Sequence, residues 1–247
     1  MDRIDIIKEK LGQRRHNERQ ITALRRTAKE VRHYRVNIRL LTIVLVMLLI
    51  FTMAVYIVAV LYRHSGRFSV NIDKYEMIEY GLSLSESREL TYMRSQLNAK
   101  ISEKMTNISE KSIADNVDMI DGEHNGRDYI AYTFYLVNAG EQALSYDYEV
   151  KYSNVTNSLD EAIRLRLYVN GEPTLYAKTR SDGGGAEPGT TEFYSDNVMT
   201  RGRINNLQPG EVTKYTVVIW LEGNDPDCID WLIGGTMKVE MEMSVVH

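Results

Sequence analysis

The chain has 247 residues, 30 Lys/Arg against 34 Asp/Glu for a net charge of −4, 43% hydrophobic residues and one cysteine. One cysteine closes no internal disulfide, which excludes a disulfide-stapled scaffold. The mild balance hides a split: residues 1–39 carry twelve Lys/Arg and five acids, +7, and residues 40–62 carry none, which leaves −11 for residues 63–247.

Residues 1–39 hold two short apolar stripes, Ile4-Ile7-Leu11 and Ile21-Leu24-Ala28-Val31, separated by Gly12 and a polar stretch. The spacing predicts a basic helical tail, out of heptad register and short of a coiled coil. Arg25, Arg26, Lys29, Arg32, Arg35 and Arg39 are the candidate membrane-surface residues. Near anionic headgroups each basic side chain is worth about 1 kcal/mol. No helix-turn-helix pattern, aromatic interleaving or base-reading module accompanies them, so no nucleic-acid partner is expected.

Residues 40–62 form an uncharged run of Leu, Ile, Val, Met, Phe, Ala, Thr and Tyr. As a helix it would span about 35 Å, against a hydrocarbon core of about 30 Å. It predicts one transmembrane helix. The basic flank precedes it, so the N-terminus is expected in the cytoplasm and the acidic part outside. The run is longer than a signal-peptide apolar region and lacks Ala-x-Ala chemistry after it, so a retained signal-anchor is expected. The expected layout is a cytoplasmic tail (1–39), a membrane helix (40–62), a juxtamembrane linker (63–67) and an extracellular domain (68–247). About 180 residues bury a real core without disulfides, which suits a bacterial surface.

The exterior reads as strands. Residues 68–73 predict a first strand, and 84–118 read as a mixed stretch, with 88–105 either a short helix or a long crossover. Residues 129–137 and 215–221 are apolar on both faces and predict central strands. Residues 144–153, 163–169 and 237–245 alternate apolar and polar side chains, so each predicts a half-buried strand. Asn170-Gly171 suits a tight hairpin, and Asn138-Ala139-Gly140 and Gln208-Pro209-Gly210-Glu211 are turn signals. The expected fold is a mainly β, antiparallel β-sandwich of jelly-roll or Ig-like type.

Catalytic signatures are absent. His16, His33, His64, His124 and His247 match no His-Glu-x-x-His spacing, and no Gly-x-Ser-x-Gly elbow occurs. Cys228 has no nearby histidine in sequence to activate it. A non-enzymatic protein is expected. Two acidic loops supply hard oxygen ligands, which makes calcium the one candidate ion and otherwise leaves no cofactor. The candidates are Asp118, Asp121 and Glu123 in one loop and Glu222, Asp225 and Asp227 in the other. The second loop has a competing structural reading. Asp225 caps a helical turn with Pro226 at its first position, Ile229, Trp231 and Leu232 lie within it, and Gly234-Gly235 end it.

Residues 214–228, with Ile233-Gly234-Gly235 after them, resemble the C-terminal part of membrane-anchored exported proteins of Gram-positive anaerobes. Residues 121–126, with 129–134 after them, resemble the same group, which implies no assigned activity. The late acidic loop after a Pro-Gly turn and a strand is also similar, distantly, to the TasA/camelysin family of surface β-sandwich proteins. That resemblance implies a jelly-roll-like sandwich and, in some members, matrix fibres. Camelysin-type members are described as metalloproteases, but this chain has no metal motif to carry over, and its long basic tail departs from the short cleaved signal of the fibre formers. The combined expectation is a single-pass protein whose exterior domain acts in binding or envelope assembly. The alternatives are a fibre subunit, or a scaffold acting through its tail. The expected partners are the lipid bilayer and a protein partner or second copy outside the cell.

Overall fold

The structure, a computed structural model, describes residue 14 and residues 17–22, 38–57, 68–99 and 105–246. The chain divides into two compact units, Met1–Arg63 and His64–His247. In the first unit residues 17–22 are helical, and helix α1 (Ile38–Ile57) is long and apolar enough to cross a membrane. It starts ahead of the uncharged run, so Arg39 lies in its first turn. Residues 58–62 of the expected span, the linker 63–67, and Arg25, Arg26, Lys29, Arg32 and Arg35 lie outside the described residues.

The second unit is mainly β. In chain order it holds β1 (Phe68–Ile72), helix α2 (Lys74–Tyr80), β2 (Leu82–Ser85), β3 (Gln96–Ala99), β4 (Gly122–Glu123), β5 (Tyr129–Asn138), β6 (Leu144–Ser153), β7 (Ile163–Val169), β8 (Glu172–Ala177), β9 (Thr191–Glu192), β10 (Val198–Leu207), β11 (Val212–Leu221) and β12 (Lys238–Val245). One sheet has the order β10-β6-β12-β1-β3. The other has β2-β5-β11-β7-β8-β9, with β4 also pairing β5.

The sheets are mixed, which corrects the expectation of antiparallel pairing throughout. β1 runs parallel to β12, with Phe68 opposite Val239 and Ile72 opposite Met243. β8 runs parallel to β9. A parallel pair needs a long crossover between its strands. β1 and β12 satisfy this trivially, because almost the whole domain lies between them.

Period-two patterning builds a core shared by the two sheets. Tyr146, Val150 and Tyr152 of β6 and Val239, Met241, Met243 and Val245 of β12 join Ile163, Leu165 and Leu167 of β7 and Phe134 and Tyr215 in one buried cluster. Aromatic contacts cross from sheet to sheet. The rings of Phe68 and Tyr132 lie 5.9 Å apart, and those of Tyr148 and Tyr215 5.5 Å apart. The hydroxyls of Tyr146 and Tyr215 meet at 2.8 Å. Burial pushes the Tyr146 phenol up to about 12, and either hydroxyl can donate to the other.

β5 and β11 are buried on both faces because their outer side is also covered. Ile113 and Val117 pack there against Ala131, Val218 and Trp220. These residues belong to the segment entering β4, which crosses the outer face through two short 3-10 turns, Glu110–Ser112 and Val117–Met119. Residues 88–99 contain no helix. Leu84 and Arg94 exchange backbone hydrogen bonds at 2.8 Å, and the chain then enters β3.

One buried side chain ties the turns at one end of the domain. Asn138 donates to the carbonyls of Gln142 at 2.8 Å and Leu207 at 2.9 Å and accepts from the amide of Gly140 at 3.0 Å. Gly81 caps α2 at φ +74, and a Cβ there would sit 2.4 Å from the Gly140 nitrogen. Only glycine permits both that backbone and that approach. Asn138→Ala leaves several buried groups without partners, and each such loss costs about 1–3 kcal/mol. Urea unfolding of the variant should show a loss of about 2–3 kcal/mol; an unchanged midpoint would contradict this role.

Candidate functional site

The loop 222–237 leaves β11 and feeds β12. Its first half is fastened by carboxylates. Glu222 accepts from the Trp220 indole N–H at 2.9 Å, from the Glu110 amide at 3.0 Å and from the Asn224 amide at 3.2 Å. The backbone joins in, with the Gly223 amide donating to Ile108 at 2.8 Å and the Ile108 amide to Leu221 at 2.9 Å. The Asn224 side chain donates to Ser109 at 3.1 Å, and that of Asn107 to the Cys228 sulfur at 3.4 Å.

Asp225 closes a turn by accepting from the Asp227 amide at 2.8 Å. The Cys228 amide donates to the Asp225 carbonyl at 3.0 Å. Asp227 accepts from the Ser181 amide at 3.2 Å and also from the Ser181 hydroxyl. The sequence placed the start of a helical turn at Asp225; the turn is 3-10, spans Asp230–Leu232 and starts from Ile229. The difference is local: Asp225 spends its carboxylate on a tight turn, and Pro226 follows that turn rather than opening a helix.

Beneath this loop lies a buried ionic cluster. Arg164 of β7 has a nearly buried side chain, with one guanidinium nitrogen 2.5 Å from Asp225 and 3.8 Å from Glu187. The contact with Asp225 is a charge contact by distance, without the alignment of a hydrogen bond. Glu187, Asp225 and Asp227 bring carboxylate oxygens within 4.8 Å of one another. Desolvation first, and the Asp225 charge second, push the Glu187 carboxyl above its usual range. The donor set is that of a hard-cation site, and Arg164 already supplies a positive charge inside it.

The six carboxylates chosen from the sequence therefore separate. Asp225 and Asp227 come together, joined by Glu187, which sequence reasoning missed. Glu222 serves the Trp220 indole instead. In the first loop, Asp118 lies 3.0 Å from the Lys214 ammonium, Asp121 accepts from the Tyr135 hydroxyl at 2.5 Å and the Arg88 amide at 3.1 Å, and Glu123 accepts from the Asn125 side chain at 3.1 Å. Among the described residues that loop gathers no set of three carboxylates. His124 sets its ring nitrogens 2.9 Å from the Gly122 carbonyl and 2.7 Å from that of Val117. It fastens its own loop.

The second half of the loop exposes what the first half holds in place. Ile229 is 60% exposed, Trp231 71% and Ile233 76%, whereas Leu232 between them is 4% exposed. Leu232 anchors the tip in the domain and sends its neighbours outward. The Ile233 carbonyl accepts from Asn157 at 2.9 Å. The Thr236 amide donates to the Thr156 hydroxyl at 2.8 Å, and the Thr156 amide to the Thr236 carbonyl at 3.0 Å. A Cβ on Gly235 would meet the carbonyls of Leu232 at 2.9 Å and Thr156 at 3.0 Å. Leaving large apolar side chains in water forgoes about 1.5–3 kcal/mol each relative to burial. A pinned loop that holds three of them out is preorganised for contact. Other exposed apolar residues, such as Ile78 on α2 and Met119 after β3, stand on separate elements.

No protein-family model and no curated protein matches the chain. Among solved structures, one reported under "AvmM Catalyzes Macrocyclization in Alchivemycin A Biosynthesis" is similar at TM-score 0.22 and 12% identity, over 48% of this chain and 79% of that one. A β-glucosidase from Kluyveromyces marxianus is similar at TM-score 0.23 and 10% identity, over 65% of this chain and 15% of that one. Likenesses this low carry no argument about fold or activity.

The ionic cluster gives a direct test. Arg164→Met leaves Asp225 buried without its counter-charge, a change that costs about 3–5 kcal/mol. Adding Asp225→Asn should restore part of that loss. Denaturant unfolding of the single and double variants reads both, and a loss in the single variant below about 1 kcal/mol would contradict a buried, structural pair.

Proposed function

We propose that the chain is a single-pass, membrane-anchored surface protein whose exterior β-sandwich acts in binding or envelope assembly without catalysing a reaction. The apolar helix α1 supports anchoring. The +7 tail ahead of it supports a cytoplasmic N-terminus and an extracellular domain. The observation that carries the binding role is the braced exposure of Ile229, Trp231 and Ile233. Asp225, Asp227 and Glu222 serve as fasteners, and the large side chains left outward-facing at the tip are apolar and suit contact rather than chemistry.

A fibre subunit of TasA/camelysin type would assemble through open strand edges. The edges here suit that poorly. β2 and β3 have four residues each and β9 has two. β10 has ten, but its pairing with β6 is broken by register shifts near each end, and it carries Arg201 and Arg203. Irregular, charged edges oppose strand addition.

A photo-crosslinking residue at position 231, in the full chain in cells, tests the reading. A defined adduct to protein or lipid at 231, absent when the same residue replaces exposed Glu172 on β8, is the expected result. Solvent-quenched product alone at 231 would remove the binding role.

A further inference from the structure

We infer that the Ile229-Trp231-Ile233 tip is a membrane foot: it inserts into the headgroup–acyl boundary of the bilayer in which the chain itself is anchored. This rests on the proposed anchoring and names the occupant of the same loop.

Strand direction makes the argument. β1 and β12 are parallel neighbours with Phe68 opposite Val239. The segments that precede these two strands therefore leave the sheet at the same end. The segment before β1 is residues 58–67, which lie between α1 and β1 in the chain. The segment before β12 is the loop 222–237. Ten residues of any conformation reach at most about 35 Å. The end of the domain that carries the apolar tip is thus the end tethered to the bilayer.

Chemistry selects lipid over an aqueous partner. Tryptophan favours the membrane–water interface, where its ring sits at headgroup level. Flanking isoleucines supply the buried apolar area that interfacial binding needs. Electrostatics would not hold the domain down, since residues 63–247 sum to −11 and an anionic surface repels them. An apolar foot holds without charge attraction. Two carboxylates of the loop are already engaged: buried Asp225 pairs with Arg164, and half-buried Asp227 accepts from Ser181. Asp230, exposed within the turn, is the one that would stay at headgroup level. The foot would fix how the domain stands on the membrane and which surfaces face away from it.

The chain has two tryptophans, and Trp220 is fully buried, so it serves as an internal reference. The full chain is reconstituted in phosphatidylcholine vesicles, with and without shallowly brominated acyl chains, and compared with the chain in detergent micelles. The emission assigned to Trp231, as the difference between the wild type and Trp231→Phe, should shift to the blue in vesicles. It should be quenched by the brominated lipid and lose its quenching by aqueous iodide. Ile229→Ser with Ile233→Ser should return Trp231 to iodide while leaving the Trp220 emission and the circular dichroism unchanged. Strong iodide quenching of Trp231 in vesicles, with no quenching by the brominated lipid, would overturn the foot. So would protection that appears in micelles as concentration rises, which would assign the tip to a second copy. A chain extracted from the vesicles by alkaline carbonate would instead refute the anchor, so the two failures are told apart.

Discussion

The parallel pairing of the first and last strands is the constraint on which the rest depends. β12 lies between β6 and β1 and pairs along its length with β6. It supplies Val239, Met241, Met243 and Val245 to the shared core. β1 sits between β12 and β3, and its pairing with β12 spans almost the whole domain, because a parallel pair cannot close through a hairpin. Between them the chain passes repeatedly from one sheet to the other, so both sheets must form for either to be complete. The same pairing gives the domain a direction, with the tether and the last long loop leaving at one end and α2 at the other.

Much of this was legible in the sequence, and the exceptions have physical causes. β5, β6, β7, β11 and β12 announced themselves because each buries at least one face, and Asn170-Gly171 adopts positive φ at both residues, as its hairpin requires. β10 did not. It is an edge strand with a bulged register, so residues such as Arg201, Arg203, Asn205 and Asn206 need no apolar partners and the alternation disappears. α2 was silent for a similar reason: its seven residues bury nothing. Its N-cap Asp73, which accepts from the Tyr75 amide at 2.7 Å, and Gly81 after it were the available signals.

The candidate site shows how far composition alone can mislead about a charge. Arg164 and Arg166 alternate with Ile163, Leu165 and Leu167 and read as a solvated face. The face is covered. Arg164 pairs inside the ionic cluster, and Arg166 stacks over Trp220 at 5.4 Å while pairing with Glu110. The double-sided apolarity of β11 implied this cover, since Val218 and Trp220 share that face of the sheet. Glu187 was invisible because the topology, not the spacing, brings it to Asp225. A buried pair of this kind offers little net stability and much positional definition. Here that definition fixes the base of a loop whose tip stays apolar and exposed.

β1 and β12 run in the same direction, and that register alone puts the segment before β1 and the loop 222–237 at one end of the domain. The most direct measurement is disulfide cross-linking in a Cys228→Ser background. Asn71 and Glu242 are register partners on the outer, solvent-reached side of their strands, and adjacent strands place Cα atoms about 5 Å apart, within disulfide reach. Asn71→Cys with Glu242→Cys should oxidise readily, and Asn71→Cys with Lys238→Cys should not. Cross-linking of the second pair in preference to the first would contradict that register.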